Sequence, residues 1–376
     1  MKITDIEIKS YLLPLDPPFN AAWDFKPRKQ FCATVVQVHT DEGITGIGSG
    51  DLMLGFQGHE YLFQGHDPFD IERHNQILDN IDFHYGRCWP LDLALWDLMG
   101  KATGKPVYQL LGGKTDKVRA YLSWGEVAAP EVRAERAIRA VEEGFKAVKI
   151  RFHHADVRDD IKVVEAVRAA VGDKLEIMVD ANQGWRMPHD IEKPWDLKKA
   201  LQVAKELEKL NVYWLEEPLP HYDYDNMARL RQMTPLRIAG GEMNRRWHDV
   251  RDMCEKGSLD VFQMDVCYCG GITKARNYAE IIRASGSVFS PHTWGNGISL
   301  LANLHVAAGL DCATYLEYPY DAPAWSIERR DFLQTQETMT RVDKDGYFVL
   351  SDRPGLGFEL DQQALQKYEI KQAVVW

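Results

Sequence analysis

Two kinds of apolar spacing divide the chain. In residues 3–13 and 32–49 apolar and polar side chains alternate, the period of a half-buried strand, and Asp41-Glu42-Gly43 supplies turn chemistry within the second run. These segments predict antiparallel strands joined by a hairpin. From Pro90 to Gly113 the apolar residues instead fall at helical intervals, closing on Gly112-Gly113, a helix stop before a boundary near residue 115. Beyond that point the pattern alternates. Short β-rich runs (VRAYLS, AVKIR, EIMVDA, YWLEEP, RIAGGE, VFQMDV, VFSPHT and ATYLEY) are separated by amphipathic stretches such as DLKKALQVAKELEKL. Repeated strand, helix, strand predicts a parallel sheet, and eight such runs are enough to close a barrel with a filled interior. The expected fold is α/β, a barrel over 116–340 preceded by an α+β domain over 1–115. The turn-rich return at 340–376 is expected to complete the first domain.

Composition narrows the class. With 376 residues, 45% of them hydrophobic and 27% charged, the chain has the balance of a compact folded protein. The opening MKITDIEIKSYLLPL contains Asp and Glu early and has neither a basic head with an apolar run nor a spanning segment, so a cytoplasmic protein without membrane contact is expected. Six scattered cysteines (32, 88, 254, 267, 269, 312) form no CxxC pair and suit a reducing compartment. A formal charge of −11 argues against nucleic acid, which demands a basic face. An anionic substrate would need the sign of the field reversed locally, a task for a divalent cation with Lys149 and Arg151.

Titratable residues recur about once per strand–helix unit: Lys149, Asp180, Glu216, Glu242, Asp265, His292 and Glu317. In a barrel every strand delivers its C-terminal end to one mouth, so residues far apart in sequence converge there. Asp180, Glu216 and Glu242 end three successive strands, and hard oxygen ligands of this kind favour one magnesium ion with positions left for substrate.

The motifs DANQGW, WLEEPLP, GGE, QMD and SPHTWGN, in this order, resemble the enolase superfamily, and Asp265 paired with His292 resembles its mandelate racemase-type subgroup. The resemblance covers nearly the whole chain. It implies a capping domain over a modified TIM barrel, (β/α)7β, in which magnesium binds the substrate carboxylate and a base removes the proton α to it. Position by position it implies Asp180, Glu216 and Glu242 as metal ligands, Asp265 and His292 as the catalytic dyad, and Glu317 as an acid hydrogen-bonded to the substrate carboxylate. The muconate-lactonizing subgroup carries lysine on the sixth strand, where this chain has Asp265. Glu317 is expected to be protonated, its pKa raised beside an anionic substrate.

Racemases of the subgroup carry two lysines, two residues apart, on the second strand; here the pair is Lys149 and Arg151. Arginine is a poor base, so Arg151 is read as a fixed cation and Lys149 as orienting the carboxylate, or as a second base if Arg151 lowers its pKa. Elimination of water needs only one base, and the expected activity is therefore a dehydratase (hydro-lyase) acting on an acid sugar to give a 2-keto-3-deoxy acid. A racemase or epimerase, a non-catalytic carboxylate-binding barrel and a zinc hydrolase are the alternatives, the last expected to show histidine ligands. Substrate contacts are expected from the loop LDPPFNAAWDFKPRKQ, with Trp23, Lys26 and Arg28 (and Phe19), and from Gln57 and His59 in a second loop. Asn182, Trp185 and Trp294 flank the motif residues and are expected near the pocket. Partners are expected to be a small carboxylate substrate and further copies of the chain in a homo-oligomer.

Overall fold

The structure, a computed structural model, describes residues 1–50, 53 and 55–370. Strands β1 (Ile3–Phe19), β2 (Arg28–Thr40) and β3 (Thr45–Gly50) form an antiparallel sheet in that order. The β2–β3 hairpin turns where Gly43 takes φ +78°, a left-handed conformation that costs glycine little. β1 runs past Leu13 to Phe19; it is an edge strand, where the missing N–H groups of its prolines break no ladder. Helix α1 (Ile71–His84) packs against α2 (Pro90–Thr103), which covers the sheet, and a Cβ at Gly46 or Gly48 of β3 would strike the α2 backbone. The helical pattern read through to Gly113 is broken: Gly104 turns left-handed at φ +67°, Pro106 follows, and α3 (Val107–Leu110) is a separate turn of helix.

Eight parallel strands then alternate with seven helices. The strands are β4 (Lys117–Ser123), β5 (Ala147–Arg151), β6 (Glu176–Asp180), β7 (Val212–Glu216), β8 (Arg237–Gly240), β9 (Val261–Phe262), β10 (Val288–Phe289) and β11 (Leu316–Pro319). Between them lie α4 (Pro130–Glu142), α5 (Val157–Val171), α6 (Leu197–Lys209), α7 (Tyr224–Met233), α8 (Trp247–Lys256), α9 (Gly271–Ala284) and α10 (Gly297–Leu310). The sheet curls in the order β10-β9-β8-β7-β6-β5-β4-β11. Its two end strands meet through side chains, Ser290 Oγ donating to the Tyr315 carbonyl at 2.5 Å and Thr293 Oγ1 to the Glu317 carbonyl at 2.9 Å. Tyr121, Met178, Trp214 and Tyr315 interleave with Ala147 and Ala239 to fill the interior, large against small.

Buried polar joints tie the α/β sheet to the N-terminal layer. Asp92 of α2 accepts from Thr273 Oγ1 of α9 at 2.6 Å and from Asn75 at 3.0 Å, and Gly271 leaves no room there for a Cβ. Strand β12 (Tyr347–Val349) pairs antiparallel with β4, whereas the short helix at Gln362–Tyr368 packs on β1, Ile370 N–H donating to the Ser10 carbonyl at 2.9 Å. The return therefore touches both layers.

Candidate active site

The C-terminal strand ends bring the motif residues together. Lys149 and Arg151, alternate residues of β5, both face the mouth, as do Asp180 at the end of β6 and Glu216 at the end of β7. Glu242 follows β8 across Gly241, which takes φ +96°. Asp265 and His292 lie three residues beyond β9 and β10, and Glu317 stands within β11. All eight are buried. His292 Nδ1 lies 3.0 Å from Asp265 Oδ2, and its Nε2 lies 3.3 Å from Glu242 Oε2.

Charge is balanced by contact. Lys149 Nζ sits 2.7 Å from both Glu216 Oε1 and Glu317 Oε1, and Arg151 Nη1 pairs with Asp180 and lies 3.0 Å from Asn182 Oδ1. Burial lowers the pKa of each cation, but the surrounding carboxylates outweigh it and both are raised; Lys149 is not the lowered amine that a second base requires. Glu317 also departs from expectation. Burial alone would raise it, yet Lys149, His292 and Arg151 pull it well below the ordinary carboxylate range. Its oxygens accept from Ser123 Oγ at 2.7 Å, Thr293 N at 3.0 Å and Trp294 Nε1 at 3.0 Å, so it is an anion among donors rather than a protonated acid. His292 is pushed up to about 9: burial lowers it, and Glu242, Glu317 and the bond to Asp265 more than reverse this.

The donors expected to hold a metal are hard, buried oxygens on adjoining strand ends, which suits magnesium. Among the described residues Glu242 keeps one oxygen, Oε2, without a hydrogen bond; Oε1 accepts from Trp185 Nε1 at 2.7 Å. Asp180 and Glu216 are engaged by Arg151 and Lys149, and among the described residues no three His, Cys, Asp or Glu side chains are gathered as a ligand cluster. The chemistry of the set fits the ion; the spacing is that of a charge network.

A cavity of about 430 Å³ opens at this mouth. Of Lys149, Arg151, Asp265, His292 and Glu317, only Arg151 and His292 line it, with Glu242 beside them. Arg151 packs against two indoles, its guanidinium 4.9 Å from the Trp23 ring centre and 5.4 Å from that of Trp294, while its Nε and Nη2 have no hydrogen-bond partner among the described residues.

Residues 132–364 match the family model described as enolase C-terminal domain-like, and residues 4–112 that of the mandelate racemase / muconate lactonizing enzyme N-terminal domain. The chain belongs to the enolase superfamily. It is similar to the arabinonate dehydratase of Saccharolobus solfataricus (32% identical, over 75% of this chain and 71% of that one) and to the N-succinyl-L-Arg/Lys racemase of Bacillus cereus (28%, over 100% of both). D-glucarate dehydratase from Agrobacterium tumefaciens, crystallised with magnesium, superposes with a TM-score of 0.83 at 26% identity, over 99% of this chain and 100% of that one. Relatives in this superfamily thus include both dehydratases and racemases.

Within this enolase-superfamily mouth the loop residues divide. Phe19, Trp23, Arg28 and Trp294 line the cavity, as does Trp185. Arg28 is neutralised by Asp24 through bonds of 2.8 and 3.0 Å. Lys26 does not line the cavity: it is exposed at the tip of the turn between β1 and β2, where no periodicity sets its direction. Asn182 is buried against Arg151 without reaching the cavity. Gln57 and His59 do not line it, His59 packing on Tyr85 at 5.4 Å; residues 51, 52 and 54 of that loop lie outside the described residues. No helix among the described residues is long and apolar enough to cross a membrane.

Sequence reasoning missed three groups. Glu217, next to Glu216, takes φ +46° and is buried, neither carboxylate oxygen having a hydrogen-bond partner among the described residues; burial and then Glu242 and Asp180 raise its pKa well above the ordinary value. The doubled acid of WLEEP was a visible signal. Arg87 and Arg186 also line the cavity, but each lies in a loop with no periodic cue.

Proposed function

We propose that this protein is a magnesium-dependent acid-sugar dehydratase, which removes the proton α to a carboxylate and expels the β-hydroxyl as water to leave a 2-keto-3-deoxy acid. The observation carrying this reading is one-sidedness. The cavity offers an imidazole backed by Asp265 on one side and, from the strand that in racemases presents a base, only a guanidinium packed against two indoles. Lys149 stays behind it, bound to Glu216 and Glu317. Inversion needs proton exchange on both faces of the α-carbon; elimination needs it on one.

In this reading His292 Nε2 takes the α-proton and returns it to the departing hydroxyl, so one residue serves as base and then as acid. Arg151 Nε and Nη2 grip the substrate carboxylate or a hydroxyl. Glu317 does not touch substrate; it anchors Lys149 and Trp294. Asp180, Glu216 and Glu242 would hold the magnesium, which when bound supplies electrostatic stabilisation for charge gathering on the carboxylate. The N-terminal region 1–115, with 340–376, acts as the cap closing the mouth.

The test is a screen of acid sugars for semicarbazide-reactive keto acids, run in parallel in deuterated water. Dehydration yields keto acid from at least one stereochemical series. Formation of both stereoisomers with α-deuterium and no keto acid would assign the protein as a racemase or epimerase instead.

A further inference from the structure

The protein carries a formal charge of −11, yet its cavity is lined by four arginines, Arg28, Arg87, Arg151 and Arg186, against one carboxylate, Glu242. Guanidinium groups on a cavity wall attract anions at short range. Two of the four are accounted for: Arg28 by its bidentate pair with Asp24, and Arg151 by Asp180 and the reacting end of the substrate. Arg87 and Arg186 remain, and neither is in an ion pair with any carboxylate among the described residues.

Arg87 reaches in from the loop between α1 and α2, its guanidinium 4.8 Å from the centre of the Tyr268 ring. That ring also stands 6.3 Å from the His292 imidazole, so one aromatic ring neighbours both Arg87 and the proposed base. Its Nη1 donates to the sulfur of Met243 at 3.9 Å. Arg186, from the loop after β6, is held through Nη2 by Gln183 Oε1 at 3.2 Å, and its buried Nε has no partner among the described residues. At about 1.5 Å per carbon–carbon bond, an extended six-carbon diacid places its far carboxyl carbon about 5 Å from its α-carbon, and with about 3 Å of hydrogen-bonding contact at each end it spans roughly the 6.3 Å and 4.8 Å steps from His292 through Tyr268 to Arg87.

Resting on the dehydratase reading, we propose that the substrate is a linear dicarboxylic acid sugar whose second carboxylate is bound by Arg87 and Arg186. A guanidinium fork matches the two oxygens of a carboxylate. Each of these arginines is already engaged at one nitrogen, which suits a planar two-oxygen group better than a three-oxygen phosphate.

The test compares hexaric acids with hexonic acids of the same configuration on the magnesium-loaded protein, by calorimetric Kd and, where turnover occurs, by kcat/KM. The diacid is expected to bind at least tenfold more tightly, and the preference is expected to vanish in Arg87→Gln/Arg186→Gln while the hexonic acid binds as before. Absence of a preference in the wild type, whether both acids bind equally or neither binds, overturns the proposal, and so does a preference that survives in the variant. Tighter binding of a 6-phosphohexonate than of the hexaric acid also overturns it. A diacid preference in binding without keto product would uphold the second-carboxylate site and sink the dehydratase reading.

Discussion

His292 Nδ1 lies 3.0 Å from Oδ2 of Asp265, whose other oxygen accepts from the Cys267 backbone N–H at 2.8 Å and the Asn303 amide at 2.9 Å. The carboxylate is thus fixed before it orients the ring, and Nε2 is the nitrogen left for substrate. Asp265→Asn would place an amide N–H against Nδ1 and disturb the tautomer. We expect kcat to fall by about 10²- to 10⁴-fold, with magnesium affinity little changed. His292→Asn should abolish both keto-acid formation and α-proton exchange; turnover retained in that variant would remove His292 from the base role.

Arg151 is the group that separates this mouth from one with a base on each side. Arg151→Lys keeps a positive charge but loses the guanidinium contact with Trp23 and Trp294 and the forked donors. The expected result is a fall of about 10- to 100-fold in kcat/KM, mostly through KM. A lysine there can also exchange a proton opposite His292, so a small epimer fraction should appear in deuterated water. Wild-type kinetics in this variant would mean that Arg151 is remote from the substrate.

The Glu242 carboxylate accepts from Trp185 at one oxygen, and its other oxygen, 3.3 Å from His292 Nε2, has no hydrogen bond among the described residues. If it is a metal ligand, Glu242→Gln should raise the magnesium Kd on the order of tenfold or more, read by calorimetry. Chelation should stop turnover in the wild type and magnesium should restore it. An unchanged magnesium affinity in Glu242→Gln would take this residue out of the ligand set.

The barrel and its ring of charged residues were legible because both are periodic. A strand buried on both faces writes a short apolar run, each run ends at the same mouth, and so Lys149 through Glu317 could be placed from spacing alone. Protonation states were not legible. The lowered pKa of Glu317 depends on Lys149 standing 2.7 Å away, a contact between β5 and β11 that β4, the strand pairing with β11, separates. The loops were least readable: Lys26 and Arg28 are two residues apart, one exposed and the other on the cavity wall, while Arg87 and Arg186 reach that wall from loops with no repeating pattern.

A stability prediction follows from a histidine outside the mouth. His305 of α10 is fully buried; Nδ1 accepts the Tyr108 backbone N–H at 3.0 Å, which leaves Nε2–H to donate to the Leu356 carbonyl at 3.2 Å. Both nitrogens are used by the neutral ring, and a second ring proton would face an N–H. Burial accordingly pushes its pKa down to about 4 from 6.5. The unfolded chain takes up this proton near pH 6.5 and the folded chain only near 4, so the contribution is complete above 6.5 and is lost as the pH falls between those values. At about 1.4 kcal/mol per pH unit the loss totals about 3 kcal/mol. His305→Gln should be less stable at pH 7 but should lose less of its stability between pH 7 and pH 4.5, read as the shift in urea midpoint. Equal shifts in the two proteins would show that His305 does not carry this acid sensitivity.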